Sequence, residues 1–111
     1  MPDIFLPVQR LTAAAQIRSL ERHPLSSEAF YPLQDRPYLI FVATYGTGPV
    51  VPRLRAFRSS GTQGISYRRN TWHHSLIALD EISNFLVVDR GGPGRNCEET
   101  LVEAPVFVGS R

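Results

Sequence analysis

The stretch Tyr38-Leu-Ile-Phe-Val-Ala-Thr-Tyr45 constrains the fold more than any other. β-Branched and aromatic residues run through it, which is the composition of a strand. Successive side chains of a strand point to opposite faces, and here both sets are apolar. Such a strand must lie centrally and be covered on both sides.

The rest of the chain reads as further short strands punctuated by turns. Glu28-Ala-Phe-Tyr31 is strand-like. Arg53-Leu-Arg-Ala-Phe-Arg58 alternates, with Leu54 and Ala56 opposing Arg53, Arg55 and Phe57. A strand begins at Gln63–Tyr67, another runs from Tyr67 to Leu79, and Asn84–Arg90 is a third. Thr100–Glu103 and Pro105–Val108 offer one or two edge strands. Turns fall at Pro32–Pro37, Gly46–Pro49, Ser59–Gly61, Asp80–Glu81 and Gly91–Gly94. Leu11–Leu20 stays open: its alanines and a Thr12 cap suit a helix, while alternation through Ile17–His23 permits a strand. Pro24 ends either one. Residues 1–15 read as an irregular lead-in to a single domain over residues 1–111. Short strands at such spacing indicate an all-β sandwich or barrel.

Composition closes several routes. All 12 basic residues are arginine, so no lysine Schiff base is available. The net charge of +2 is spread along the chain, so no nucleic-acid partner is expected. No apolar run approaches the roughly 20 residues of a membrane helix, and no membrane partner is expected. The N-terminus lacks the basic flank and apolar core of a signal peptide, which implies a cytoplasmic protein. Cys97 is the only cysteine; a chain without an intrachain disulfide suits a reducing compartment, and a packed thiol is expected.

Chemistry concentrates around the histidines. If residues 67–79 form one strand, Trp72, His74 and Leu76 share one face, and Thr71, His73 and Ser75 the other. His73 and His74 then point apart and do not bind one ion together. Glu21 and His23 lie two apart, on one face of a strand, and Glu28 follows. This spacing resembles the first motif of cupins, His-x-His followed by Glu and Gly, with Glu21 in place of the first histidine and Asp35 in place of the glycine. His73 is the candidate for the histidine that cupins return from a later strand. Oxygen and imidazole ligands on facing strands suit Mn, Fe, Ni or Zn. Other features have plainer readings: Gly91–Gly94 is a turn rather than a phosphate loop, Trp72 belongs to the core, Asp89–Arg90 is an ion pair, and Tyr67 is an interior tyrosine with a bonded hydroxyl.

Several segments in order carry a more specific likeness: Leu20-Glu-Arg-His-Pro-Leu25 with Ala29-Phe-Tyr-Pro-Leu33, Leu54-Arg-Ala-Phe57, Gly64-Ile-Ser-Tyr67, Asn70-Thr-Trp-His-His74, and Phe85-Leu-Val-Val-Asp-Arg-Gly-Gly92 with Asn96-Cys-Glu98. Together they resemble the ureidoglycolate lyase family of allantoin degradation. The resemblance implies a cupin-like double-stranded β-helix, or jelly-roll barrel, incomplete at its N-terminus because the family carries a longer segment before the Leu-Glu-Arg-His-Pro motif. Glu28 stands where the family is expected to carry glutamine. The resemblance also implies a homodimer that cleaves (S)-ureidoglycolate to glyoxylate and urea, with a divalent metal, Ni first and Mn or Zn next. On that basis Glu21, His23, Glu28 and His73 are the metal ligands. His23, His73, His74 and Tyr67 are the catalytic candidates, and Arg22 and Arg90, with Arg68 behind them, hold the substrate carboxylate. The competing reading is a shortened, inactive cupin that dimerises or binds a small carboxylate.

Overall fold

A computed structural model describes residues 5–8, 15–44, 53–79 and 81–108. Among them the elements are β1 (Phe5–Val8), β2 (Ala15–Arg22), β3 (Glu28–Pro32), β4 (Tyr38–Thr44), β5 (Arg53–Ser59), β6 (Ile65–Tyr67), β7 (Trp72–His73), β8 (Ile77–Ala78), β9 (Ser83–Val88) and β10 (Glu98–Val108). No described residue is helical. The strands form two antiparallel sheets. One has the order β1-β9-β3-β6; the other has β10-β2-β7-β4-β5, with β8 also paired to β4. This is the cupin-like sandwich that the sequence predicts.

The two apolar faces of β4 enter different cores. Tyr38 and Ile40 join Phe30, Tyr67, Leu76, Ala78, Phe85 and Val87. These residues come from both sheets, so this core lies between them. Phe41 and Ala43 join Ile17, Leu20, Ile77 and Val102, with Trp72 packed against them; all belong to the larger sheet. Phe85, fully buried, stands edge-on to Tyr38 at 4.9 Å and to Phe30 at 6.5 Å between ring centroids. Edge-to-face geometry of this kind adds to the area that the rings bury.

The region read as one strand from Tyr67 to Leu79 is three short ones. Asn70 takes a left-handed backbone (φ 67°), and the Thr71 N–H donates to the Arg68 carbonyl at 3.1 Å, closing a turn between β6 and β7. Asparagine tolerates this conformation well. A second break follows His73. On β4, Val42 pairs with His73 but Leu39 pairs with Ile77, so one extra residue is accommodated between them. Such a bulge shifts the side-chain alternation. Leu76 therefore reaches the core between the sheets, while Trp72 packs on the opposite face; the shared face expected for them does not form.

Other readings change as well. The lead-in contains β1, which pairs along the edge with β9 despite Pro7; an edge strand has room for a residue without an N–H. Residues 15–22 are strand, not helix. The tail forms one strand, β10, irregular between Leu101 and Val106. Thr12, the Gly46–Pro49 break and Asp80 lie outside the described residues. Gly61, at φ +95°, makes the Ser59–Gly61 turn, and a Cβ there would run into the backbone of Arg36. Replacing Phe85 by alanine should destabilise the chain by about 3–5 kcal/mol, read as a lower midpoint in urea unfolding with an unchanged slope.

Candidate metal centre

Strand register brings the expected ligands together. Glu21 on β2 is the direct cross-strand partner of His73 on β7, and partners in an antiparallel pair share a face. Glu28 on β3 is likewise the partner of Tyr67 on β6. The first pair lies in the larger sheet and the second in the smaller. His23, one residue beyond β2, closes the group. Its Nε2 is 3.0 Å from Glu28 Oε1 and 3.9 Å from Glu21 Oε1. His73 Nε2 is 3.4 Å from Glu21 Oε1 and 3.5 Å from Glu28 Oε1. One ligand atom from each of the four residues falls within 4.8 Å of every other.

Both rings are held from behind. His73 Nδ1–H donates to the Thr71 carbonyl at 2.9 Å, and His23 Nδ1–H to the Asn96 carbonyl at 2.7 Å. Because a carbonyl only accepts, each ring turns Nε2 toward the carboxylates, the arrangement that orients metal-ligating histidines. Asn96 is itself pinned. Its Oδ1 accepts from the Leu25 N–H at 2.7 Å and its Nδ2 donates to Ser26 Oγ at 2.9 Å. The His23 carbonyl accepts from the Asn70 N–H at 2.9 Å. The turn at Asn70 and the loop at Asn96 thus fix one histidine from two sides.

The donors fit a divalent cation. His73 is 2% exposed, and its buried Nε2 has no hydrogen-bond partner among the described residues. Its contacts with the two carboxylates exceed the roughly 2.7–2.9 Å of a charge-assisted hydrogen bond. Two carboxylates and two imidazoles are a donor set for Mn, Fe, Ni or Zn. The charges are coupled even so. His73 holds Glu21 below the ordinary carboxylate range, against the effect of burial. Burial opposes a charge on His73, but Glu21 and Glu28 outweigh it and lift the imidazole to about 9.

Tyr67 stacks on His73, with ring centroids 4.1 Å apart and planes 14° from parallel. Its hydroxyl is buried and has no hydrogen-bond partner among the described residues, contrary to the bonded hydroxyl expected. Burial, then the charge of Glu28, keeps the phenol protonated well above its ordinary range. His74 is turned elsewhere: its Nδ1–H donates to the Ser75 carbonyl at 2.9 Å and its ring meets Phe41 edge-on, on the other side of the sheet. Arg22 pairs with Glu98 at 2.7 Å and lies over Trp72. Arg90 shares a broad depression of about 1160 Å³ with His23, but its guanidinium donates to the Pro93 carbonyl at 2.6 Å. Asp89 accepts from the Arg90 backbone N–H rather than from its guanidinium, so the expected ion pair is replaced by a backbone contact. Arg68 is exposed in the Asn70 turn. Cys97 is exposed, not packed; its Sγ lies 3.7 Å from Glu21 Oε2, and partial burial followed by Glu21 raises its thiol pKa.

A pH dependence follows for the metal-free chain. His73 binds its proton more tightly folded than at its ordinary value of 6.5. Its contribution to stability is therefore complete below about pH 6.5 and lost as pH rises through about 9. The thermal midpoint of chelator-treated protein should fall across that window, and His73→Asn should flatten the slope.

The family model for ureidoglycolate lyase matches residues 4–109. The chain is 53% identical over 83 residues to ureidoglycolate lyases of Stutzerimonas stutzeri (75% of this chain, 49% of that protein) and Pseudomonas putida (75% and 50%). It is 53% identical over 91 residues to one of Burkholderia mallei, covering 82% of this chain and 53% of that protein. The chain spans about half the length of the curated relatives it matches. On this evidence it belongs to the ureidoglycolate lyase family.

Proposed function

We propose that this chain cleaves (S)-ureidoglycolate to glyoxylate and urea. The observation that carries the reading is the convergence of Glu21, His23, Glu28 and His73 within 4.8 Å, in a chain of this family. Tyr67 stacks against the group with a hydroxyl that has no hydrogen-bond partner among the described residues.

Ureidoglycolate is an α-hydroxy acid whose hydroxyl carbon bears a urea nitrogen. Cleavage removes the hydroxyl proton, forms the carbonyl of glyoxylate as the C–N bond breaks, and returns a proton to the departing nitrogen. Glu21, His23, Glu28 and His73 would hold a divalent metal, which would supply Lewis acidity toward the substrate hydroxyl. His23 and His73 present Nε2 as ligands or as the base. Glu21, kept ionised by His73 and one-third open to solvent, is a second acceptor. Tyr67, kept protonated, donates to the leaving nitrogen; His74, turned toward Phe41, is less suited to that role. Arg90, beside His23 on the broad depression, is better placed to meet a carboxylate than Arg22, which Glu98 engages. Family resemblance favours nickel over manganese or zinc, and a homodimer formed by one domain over the whole chain. The single exposed cysteine suits the reducing cytoplasm.

His23→Ala and His73→Ala should each lower bound metal and cut turnover by roughly 10²–10⁴-fold. The assay is urea and glyoxylate release by protein as isolated, after chelation, and after adding back Ni, Mn or Zn. Turnover indifferent to chelation would keep the lyase and remove the metal. A folded, metal-loaded protein that binds glyoxylate without turning over ureidoglycolate would sink the lyase reading and leave a carboxylate-binding cupin.

A further inference from the structure

Strand register sets a lateral row across the larger sheet: Glu99, Glu21, His73, Val42 and Arg55 are successive cross-strand partners on β10, β2, β7, β4 and β5. Direct partners in antiparallel strands point to the same face. Arg55 therefore projects from the face that bears His73 and Glu21, two strand spacings or roughly 10 Å from His73, with only the apolar Val42 between. Its guanidinium lies 5.6 Å from the centre of the Phe57 ring. Among the described residues it makes no ion pair and no hydrogen bond.

Beside it, between the edge strands β5 and β6, lies a cavity of about 380 Å³. Val42, Phe57, Ile65 and Tyr67 are among its walls. Two of these abut the metal ligands: Val42 is the strand partner of His73, and Tyr67 stacks on its ring. Val42 is also the strand partner of Arg55, so this wall residue of the cavity stands between Arg55 and the His73 end of the cluster. Arg58 also lines the cavity, but it is the strand partner of Leu39, which packs against the other core, so Arg55 is the guanidinium on the cavity's side of β5. Apolar walls beside a guanidinium suit a small acid, since arginine pairs with carboxylates in a fixed fork.

We infer that Arg55 is the carboxylate anchor of the substrate site, and that the acid enters between β5 and β6 rather than through the depression beside Arg90. This rests on the lyase reading above. The carboxylate meets Arg55 over Val42, which leaves the hydroxyl and ureido groups at the His73–Tyr67 end. An inward charge also discourages edge-to-edge pairing of a strand such as β5; that role alone predicts aggregation of an Arg55 variant, not altered ligand binding.

The test compares Arg55→Gln, Arg55→Lys and Arg90→Gln in the nickel-loaded protein, titrated with glycolate, glyoxylate and the neutral glycolamide. Arg55→Gln should weaken both acids and raise KM by about 10- to 100-fold, as loss of a charged hydrogen-bonded pair does. Glycolamide binding, nickel affinity and the unfolding midpoint should hold. Arg55→Lys should recover part of the loss, because it keeps charge but not the fork. Equal binding of the acids by wild type and Arg55→Gln, or a loss confined to Arg90→Gln, would overturn the assignment while leaving the lyase intact. Wild-type protein that binds neither acid would instead remove the lyase reading, and the anchor with it.

Discussion

A strand without a polar face cannot rest on one core, and the remainder of this structure follows from that demand. β4 meets it by serving two cores at once. Tyr38 and Ile40 face the smaller sheet, while Phe41 and Ala43 face away from it. Because β4 is then fixed on both sides, its pairing with β7 is fixed, and that pairing puts His73 beside Val42 on the face between the sheets. β2 joins the other side of β7 and brings Glu21 to the same ring. The polar cluster is therefore a consequence of apolar register: a slip of one residue would turn every side chain of β7 to the opposite face.

The cluster that results is costly by itself. Carboxylates drawn out of water demand compensation, and here the buried Glu28 and the half-buried Glu21 meet from opposite sheets. The protein offers two imidazoles and turns the Nε2 atom of each inward. Their backs are tied to the Thr71 and Asn96 carbonyls. Without a metal, the charge on His73 offsets the carboxylates, which is why its proton is held so tightly. A divalent cation would do the same at the same point. The arrangement holds positive charge in either form, so the fold need not collapse when the ion leaves.

Much of the architecture was legible in the residues. The two-sided apolar run named the central strand, and Gly/Pro punctuation implied a sandwich. The spacing of Glu21, His23 and Glu28 gave three members of the cluster, and the wish for a later histidine gave His73. What escaped was local. Alternation from Tyr67 to Leu79 is regular on paper, but Asn70 in a left-handed conformation and an extra residue after His73 break it into three strands. Asparagine at position 70 was a usable turn signal; the bulge left none, because only pairing with β4 reveals it. Tyr67 and Cys97 were misjudged because an orphaned hydroxyl and an exposed thiol are set by tertiary placement. Asn96 acts through its own carbonyl and a pinned loop, and no spacing rule reports that. Nor did spacing connect Arg55 to His73, which are neighbours only through Val42.

The local departures share a location. The left-handed Asn70 donates its N–H to the carbonyl of His23; the bulge begins directly after His73; the unpartnered Tyr67 hydroxyl belongs to the ring stacked on His73; the unpartnered imidazole nitrogen is that of His73 itself. Chains tend to break local rules where function requires it and to satisfy them elsewhere. Around β4, β9 and their aromatic contacts the rules hold: rings pack edge-to-face, and the buried Ser83 hydroxyl donates to the Glu81 carbonyl. Around His23 and His73 they fail together. Four independent irregularities converging on two side chains are hard to derive from packing, which would have been served as well by apolar residues at these positions. They follow directly if these two rings must present Nε2 to a common point while a tyrosine hydroxyl is kept free beside them.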